Sequence, residues 1–213
     1  MDCQRLAISE YMRIEINPPY FPVTEKPYCC VPAVLQMILK RRGLKYQSQE
    51  EIGYQLGLIV PPEHRHFFAK VRTESKPKAG YGTRTSKEKF SIPNYFRKNN
   101  LPLKLTKRQT AHIQELRECL NNFLSCGDDV IICYNSQLLW GDGDMEHVSL
   151  IQSFDDEADK ILIVDPAIGV PKYQKVNFEK LSNILISNRT SKQIGLWIIS
   201  SSRVEDADVT HTT

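Results

Sequence analysis

The sequence predicts an α+β fold, a helical half followed by an antiparallel sheet, and three observations carry that prediction. Apolar residues recur at helical spacing in the first part of the chain, over 30–42 and again over 106–126. Short β-branched runs bounded by turn residues then take over: Val130–Tyr134, His147–Ile151, Lys160–Val164 and Ile194–Ile199. A polar turn, Phe154 to Lys160, joins two of these runs as a hairpin. At 213 residues and 41% hydrophobic content the chain can bury one proper core. The expected organisation is a single domain over 1–203, helical over about 28–126 and sheet over about 128–200, with a frayed polar tail at 204–213.

Taken in order, residues 1–29 set Pro18-Pro19, Pro22 and Pro27 among Tyr11, Ile14, Ile16, Tyr20 and Phe21, which reads as a short strand and then extended chain. Extended backbone of this kind can line a cleft. The stretch Tyr28 to Leu39 is a buried helix: Pro32 suits a first turn, Val34, Leu35, Ile38 and Leu39 share a face, and Gly43 follows Lys40-Arg41-Arg42 as a stop. Ser48-Gln49-Glu50-Glu51 is a capping-box pattern that opens a second helix over 49–56, expected to pack on the first. Over 60–88 neither period persists, so a long irregular connection is expected, read first as a plain surface loop, in which Tyr81 between Gly80 and Gly82 can alternatively lie against a ligand. Ser91 to Lys98 reads as a short helix and Leu101 to Leu105 as a strand. Thr106-Lys107-Arg108-Gln109 resembles a capping box that opens an amphipathic helix with the stripe Ile113, Leu116, Leu120, Phe123 and Leu124, ended by Gly127. Residues 177–188 form a helical insertion before the last strand.

Composition narrows the function classes. A net charge of +3, with the basic residues of 64–108 interleaved with Glu63, Glu74 and Glu88, argues against nucleic acid as a partner. No run approaches the roughly 18 to 20 apolar residues of a membrane span. Met1-Asp2-Cys3-Gln4-Arg5 lacks a basic region followed by an apolar one, so a cytoplasmic location, or export without a Sec-type signal, is expected. Six cysteines without a C-x-x-C pair do not form a disulfide framework, and reduced thiols are expected. His64-x-His66 has no third ligand at suitable spacing, so neither a metal nor any other cofactor is expected.

The chemistry centres on a thiol, an imidazole and a carboxylate. A cysteine at a helix start meets unpaired N–H groups and the positive end of the helix dipole, which favour thiolate. Both Cys29 and Cys30 stand at that position. Such a nucleophile needs a base and a group that orients the base. Of five histidines, His147 alone opens a strand beside a glycine-rich turn, where an imidazole is held rigidly yet faces a cleft. The following hairpin returns through Ile163-Val164 to Asp165, which lands beside His147 and can accept Nδ1–H. Singly, each of the three residues has an ordinary structural explanation; together they fit one mechanism.

Cys30-Val31-Pro32-Ala33 ahead of an apolar helix, a distant His opening a strand, and Asp165-Pro166-Ala167-Ile168-Gly169 closing the next strand resemble the papain-like cysteine peptidases, specifically the bacterial bacteriocin-processing (double-glycine leader) peptidase-like branch. The resemblance implies a papain-like fold, a bacterial setting and a thiol peptidase that cleaves a peptide or protein through an acyl-enzyme. Its Pro-Ala register marks Cys30 as the nucleophile, with His147 as base and Asp165 as orienting group. It also implies a Gln about six residues before the Cys as oxyanion donor. That position is Thr24 here, so the backbone N–H of Cys30 with Thr24 or Asn17 is expected to serve. The segments 60–90 and 135–146 are expected to frame the substrate cleft, with Tyr81 and Trp140 on its walls. The same triad can serve an acyltransferase or transpeptidase, and a relative that has lost turnover can keep the cleft as a binding module. In a pathogen, delivery as an effector is a further expectation.

Overall fold

In the computed structural model, which describes residues 13–202 except 142 and 144, the apolar spacing after residue 30 produces a central helix. This helix, α1 (Cys30–Arg41), buries Val34, Leu35, Met37, Ile38 and Leu39 completely. Helix α2 (Gln49–Gln55) begins with the anticipated reciprocal capping box between Ser48 and Glu51 and packs on α1. The far end of α1 is fastened by charge. Arg41 and Arg42 both donate to Asp129, Arg41 Nε at 2.7 Å, and Tyr20 donates its hydroxyl to the same carboxylate at 2.8 Å. Arg42 also reaches the backbone oxygen of Ile199. The helix that carries Cys30 is therefore held at its C-terminal end to the sheet.

The irregular connection contains a two-stranded parallel pair, β2 (Ile59–Val60) with β3 (Arg72–Thr73), and two 3-10 turns, Pro62–Phe67 and Glu88–Phe90. Strands of two residues and 3-10 turns of three and six residues show no sustained period of 2 or 3.6, which is why the sequence reads there as irregular. Helix α3 (Ile92–Lys98) is capped by Ser91 as expected. The next prediction needs correction. Thr106, Lys107 and Arg108 do not open a helix but continue strand β4 (Leu103–Arg108), where they pair with Ile198, Trp197 and Leu196 of β9 (Gly195–Ser201). Long-range pairing outweighs the local capping signal. Helix α4 (Ile113–Ser125) starts later, with Glu115 accepting the Ala111 N–H, and buries Leu116, Leu120 and Leu124 of the predicted stripe.

The main sheet is antiparallel in the order β4, β9, β5 (Asp129–Asn135), β6 (Glu146–Asp155), β7 (Lys160–Val164), β8 (Tyr173–Asn177). Strand β1 (Arg13–Glu15) pairs with the far end of β6, Ile14 opposite Phe154. Strand β8 was not anticipated because only Val176 in it is buried, so its sequence carries no alternation. Short helix α5 (Ser136–Trp140) follows β5, and α6 (Phe178–Ser187), capped by Asn177, is the helix expected before the last strand. A bulge at Gln152 of β6 turns that side chain inward, where it accepts from Tyr20 N–H at 3.1 Å and donates to the Ile16 oxygen at 2.9 Å. The N-terminal segment is thus tied to the sheet on its way to Cys30.

Cys29, Cys30, Cys119 and Cys133 are free thiols, in line with the reduced state expected. Cys126 departs from it, being disulfide-bonded; a lone pairing leaves no framework of spacings to read. No helix among the described residues is long and apolar enough to cross a membrane.

Candidate active site

The chain reaches α1 through a tight turn. Cys29 N–H bonds the Lys26 oxygen at 2.9 Å, and Tyr28 adopts a φ of +63°, left-handed backbone that a bulky residue rarely takes. Cys29 then serves as N-cap, its oxygen accepting from Ala33 N–H, so Cys30 is the first helical residue. The side chains part company here. Cys29 is fully buried, and burial, with Cys30 beside it, pushes its thiol far above the ordinary range. Cys30 is half-buried and lines the cleft.

Across the cleft, His147 is the second residue of β6, opposite Tyr134 of β5, and Asp165 directly follows β7. The hairpin register Leu150 opposite Val164 brings the carboxylate alongside the imidazole, with Asp165 Oδ1 at 2.8 Å from His147. The bonded nitrogen is Nε2, not the Nδ1 expected. Nδ1 is left to face Cys30. Burial disfavours charge on His147, but the hydrogen bond to Asp165 and the hydrogen bond and charge of Cys30 outweigh it and raise its pKa to about 10. Burial would likewise raise Asp165, yet the bond and charge of His147, with Ala167 N–H and Ser149 Oγ–H, hold it below its ordinary value.

Two residues that the sequence did not single out complete this network. Ser149 donates to Asp165 Oδ2 at 3.0 Å and Tyr134 donates to the same oxygen at 3.1 Å. Trp140 in turn donates Nε1–H to the Tyr134 oxygen at 3.1 Å. Burial and the nearby Asp165 keep the Tyr134 phenol far above its usual range, so it remains a donor. A serine two residues after a strand histidine points to the same face, which is the signal that could have found Ser149.

Thr24 and Asn17, the expected oxyanion side chains, are both exposed and neither lines the cleft. Glu25 lines it instead. Gln49 grips the flanking residues, donating to the Thr24 oxygen at 2.9 Å and accepting from Lys26 N–H at 2.7 Å, while Glu25 N–H bonds the Pro166 oxygen at 2.8 Å. In extended chain adjacent side chains alternate, so fixing 24 and 26 outward turns 25 inward. A carboxylate oxygen of Glu25, Cys30 Sγ and a ring nitrogen of His147 all lie within 4.8 Å of one another, and these donor types could also hold a metal ion. His66 Nδ1–H bonds the Glu63 oxygen, whereas His64 lines the cleft with its ring 5.7 Å from the Tyr28 ring.

The cleft has a volume of about 1010 Å³ and is lined by Tyr28, Tyr81, Trp140 and Trp197 among others. Tyr81 and Trp140 stand on its walls. The loop bearing Tyr81 is secured by Arg84, whose guanidinium donates to the Gly80 and Gly82 oxygens.

A helical half packed on an antiparallel sheet is the papain-like α+β fold, in the form seen in C39-like peptidase structures. A putative C39-like peptidase from Bacillus anthracis matches with a TM-score of 0.56 at 17% identity, covering 89% of this chain and 98% of its own. The peptidase domain of Streptococcus ComA, a bifunctional ABC transporter involved in a quorum-sensing pathway, matches with a TM-score of 0.51 at 13% identity, covering 86% and 99%. No family model and no curated protein matches the sequence.

Proposed function

We propose that the protein is a cysteine peptidase that hydrolyses peptide or protein substrates through an acyl-enzyme on Cys30. The observation that carries this reading is the meeting, in one cleft, of the Cys30 thiol with a His147 ring whose other nitrogen bonds Asp165 at 2.8 Å. Cys30 attacks the carbonyl, His147 in its protonated form returns a proton to the leaving amine, and Asp165 holds the ring. A raised His147 keeps that proton available at neutral pH. Water then resolves the thioester. The two structural relatives named above are described as peptidases, which agrees with a peptide substrate.

The test combines iodoacetamide labelling, mapped by peptide mass, with hydrolysis of a fluorogenic peptide library. Cys30 is expected to label fast at pH 6, and His147→Ala to abolish that fast labelling and lower hydrolysis by about 10² to 10⁴. Cys30→Ala should abolish hydrolysis. Slow labelling insensitive to His147, or label on Cys29 instead, would replace this reading with a binding module.

A further inference from the structure

Glu25 is unexplained by the triad. Its Oε2 is buried and has no hydrogen-bond partner, although its backbone is fixed from both sides and it faces the nucleophile. Several groups could govern its charge. The start of α1 presents Cys29 and Cys30, β6 presents His147, and the connection from β7 to β8 presents Asp165 and Lys172. From α2 the flanking residue is neutral Gln49. Lys172 offers no direct bond, because its Nζ donates to the Pro166 and Ala167 oxygens. His147 is committed to Asp165 and Cys30. An ionised Glu25 would thus be a second carboxylate beside Asp165, with a buried oxygen that nothing solvates, which is costly.

We propose that Glu25 works as a neutral carboxylic acid whose cleft-facing carboxyl O–H hydrogen-bonds the oxyanion formed when Cys30 attacks a carbonyl. The proposal rests on the acyl-transfer reading above. In the step, the Cys30 sulfur forms a bond to the carbonyl carbon and the C=O π pair moves onto oxygen. That oxygen accepts from the Glu25 carboxyl O–H and from Cys30 N–H, one of the first-turn amides that a helix leaves without an internal acceptor. When the pair returns, the C–N bond breaks and the amine leaves with a proton from His147; the Glu25 proton stays where it was. Burial supports the neutral form by raising the Glu25 pKa; the His147 charge opposes this, Asp165 adds to it and Lys172 opposes it, with the net shift upward.

Acylation by p-nitrophenyl acetate builds an oxyanion, whereas alkylation by iodoacetamide does not, so their ratio at Cys30 isolates Glu25. Glu25→Ala is expected to slow acylation by about 10² to 10³ while alkylation changes only a few-fold. Glu25→Gln, an isosteric donor, should keep acylation within a few-fold and remove the wild-type loss of acylation as pH rises through the Glu25 titration. Equal effects of Glu25→Ala on both reactions, or Glu25→Gln as slow as Glu25→Ala, would overturn the proposal. So would uptake of one zinc ion per chain at neutral pH that Glu25→Gln abolishes, since ligation needs the charged carboxylate. Failure of the peptidase reading looks different: neither reaction would then depend on His147.

Discussion

Asp165 is the most heavily supported side chain in the site, and its support determines where the imidazole points. Oδ1 takes His147 and the Ala167 N–H, while Oδ2 takes Ser149 and Tyr134, so each oxygen is saturated. Removing one hydroxyl leaves Oδ2 with the other. Ser149→Ala or Tyr134→Phe should each cost about 1 to 2 kcal/mol, but the double variant should cost more than their sum, because it strands a buried carboxylate oxygen. Urea denaturation of the four proteins checks this, and strict additivity would dissolve the network. At this scale the sequence revealed residues whose chemistry is rare for their position. Cys30 at a helix start and His147 at a strand start stood out against their neighbours. Glu25 did not, since an acidic residue in an extended segment reads as surface until the grip of Gln49 on both neighbours is seen. Ser149 was likewise hidden, one polar residue in a buried strand whose partner lies on another.

At the scale of elements, α1 is a strut with the thiol at one end and an ion cluster at the other. Asp129 is fully buried and the Arg41 side chain is only 5% exposed, so neither charge has water to fall back on. Asp129→Ala should destabilise the protein by about 3 to 5 kcal/mol, because two guanidinium groups lose their carboxylate and Tyr20 loses its acceptor. Denaturant unfolding measures it, and a change under 1 kcal/mol would show that the cluster does not hold the helix. The helices were legible because their determinants are local: the Ser48 and Glu51 box and the Ser91 and Asn177 caps act within one turn. The misplaced start of α4 marks where local reading stops. Thr106 to Arg108 have the composition of a helix entry, but β9, some 90 residues later, recruits them as an edge strand.

The whole molecule assembles its site from three remote parts: the N-terminal segment brings Glu25, the helical half Cys30, and the sheet His147 and Asp165. Because each charge is shaped by the others, the fold's stability should report their protonation. His147 is raised from 6.5 to about 10, so the native state holds a proton that the unfolded chain has released. Its contribution is complete below pH 6.5 and drains away as pH rises toward about 10. Glu25 is also raised, from 4.5, and its contribution falls in the same direction as pH climbs through its folded value. Asp165 runs the opposite way: lowered from 3.8, it stabilises above that value and loses its contribution as the solution is acidified below it. The wild type should therefore lose stability relative to His147→Gln between pH 6.5 and 10, and Glu25→Gln should gain on the wild type as pH rises above 4.5. Thermal unfolding across pH 4 to 10 separates the two, because the Glu25 difference must open at lower pH than the His147 difference closes. Parallel curves for all three proteins would mean that these groups titrate as they do in the unfolded chain, and the coupling among them would have to be abandoned.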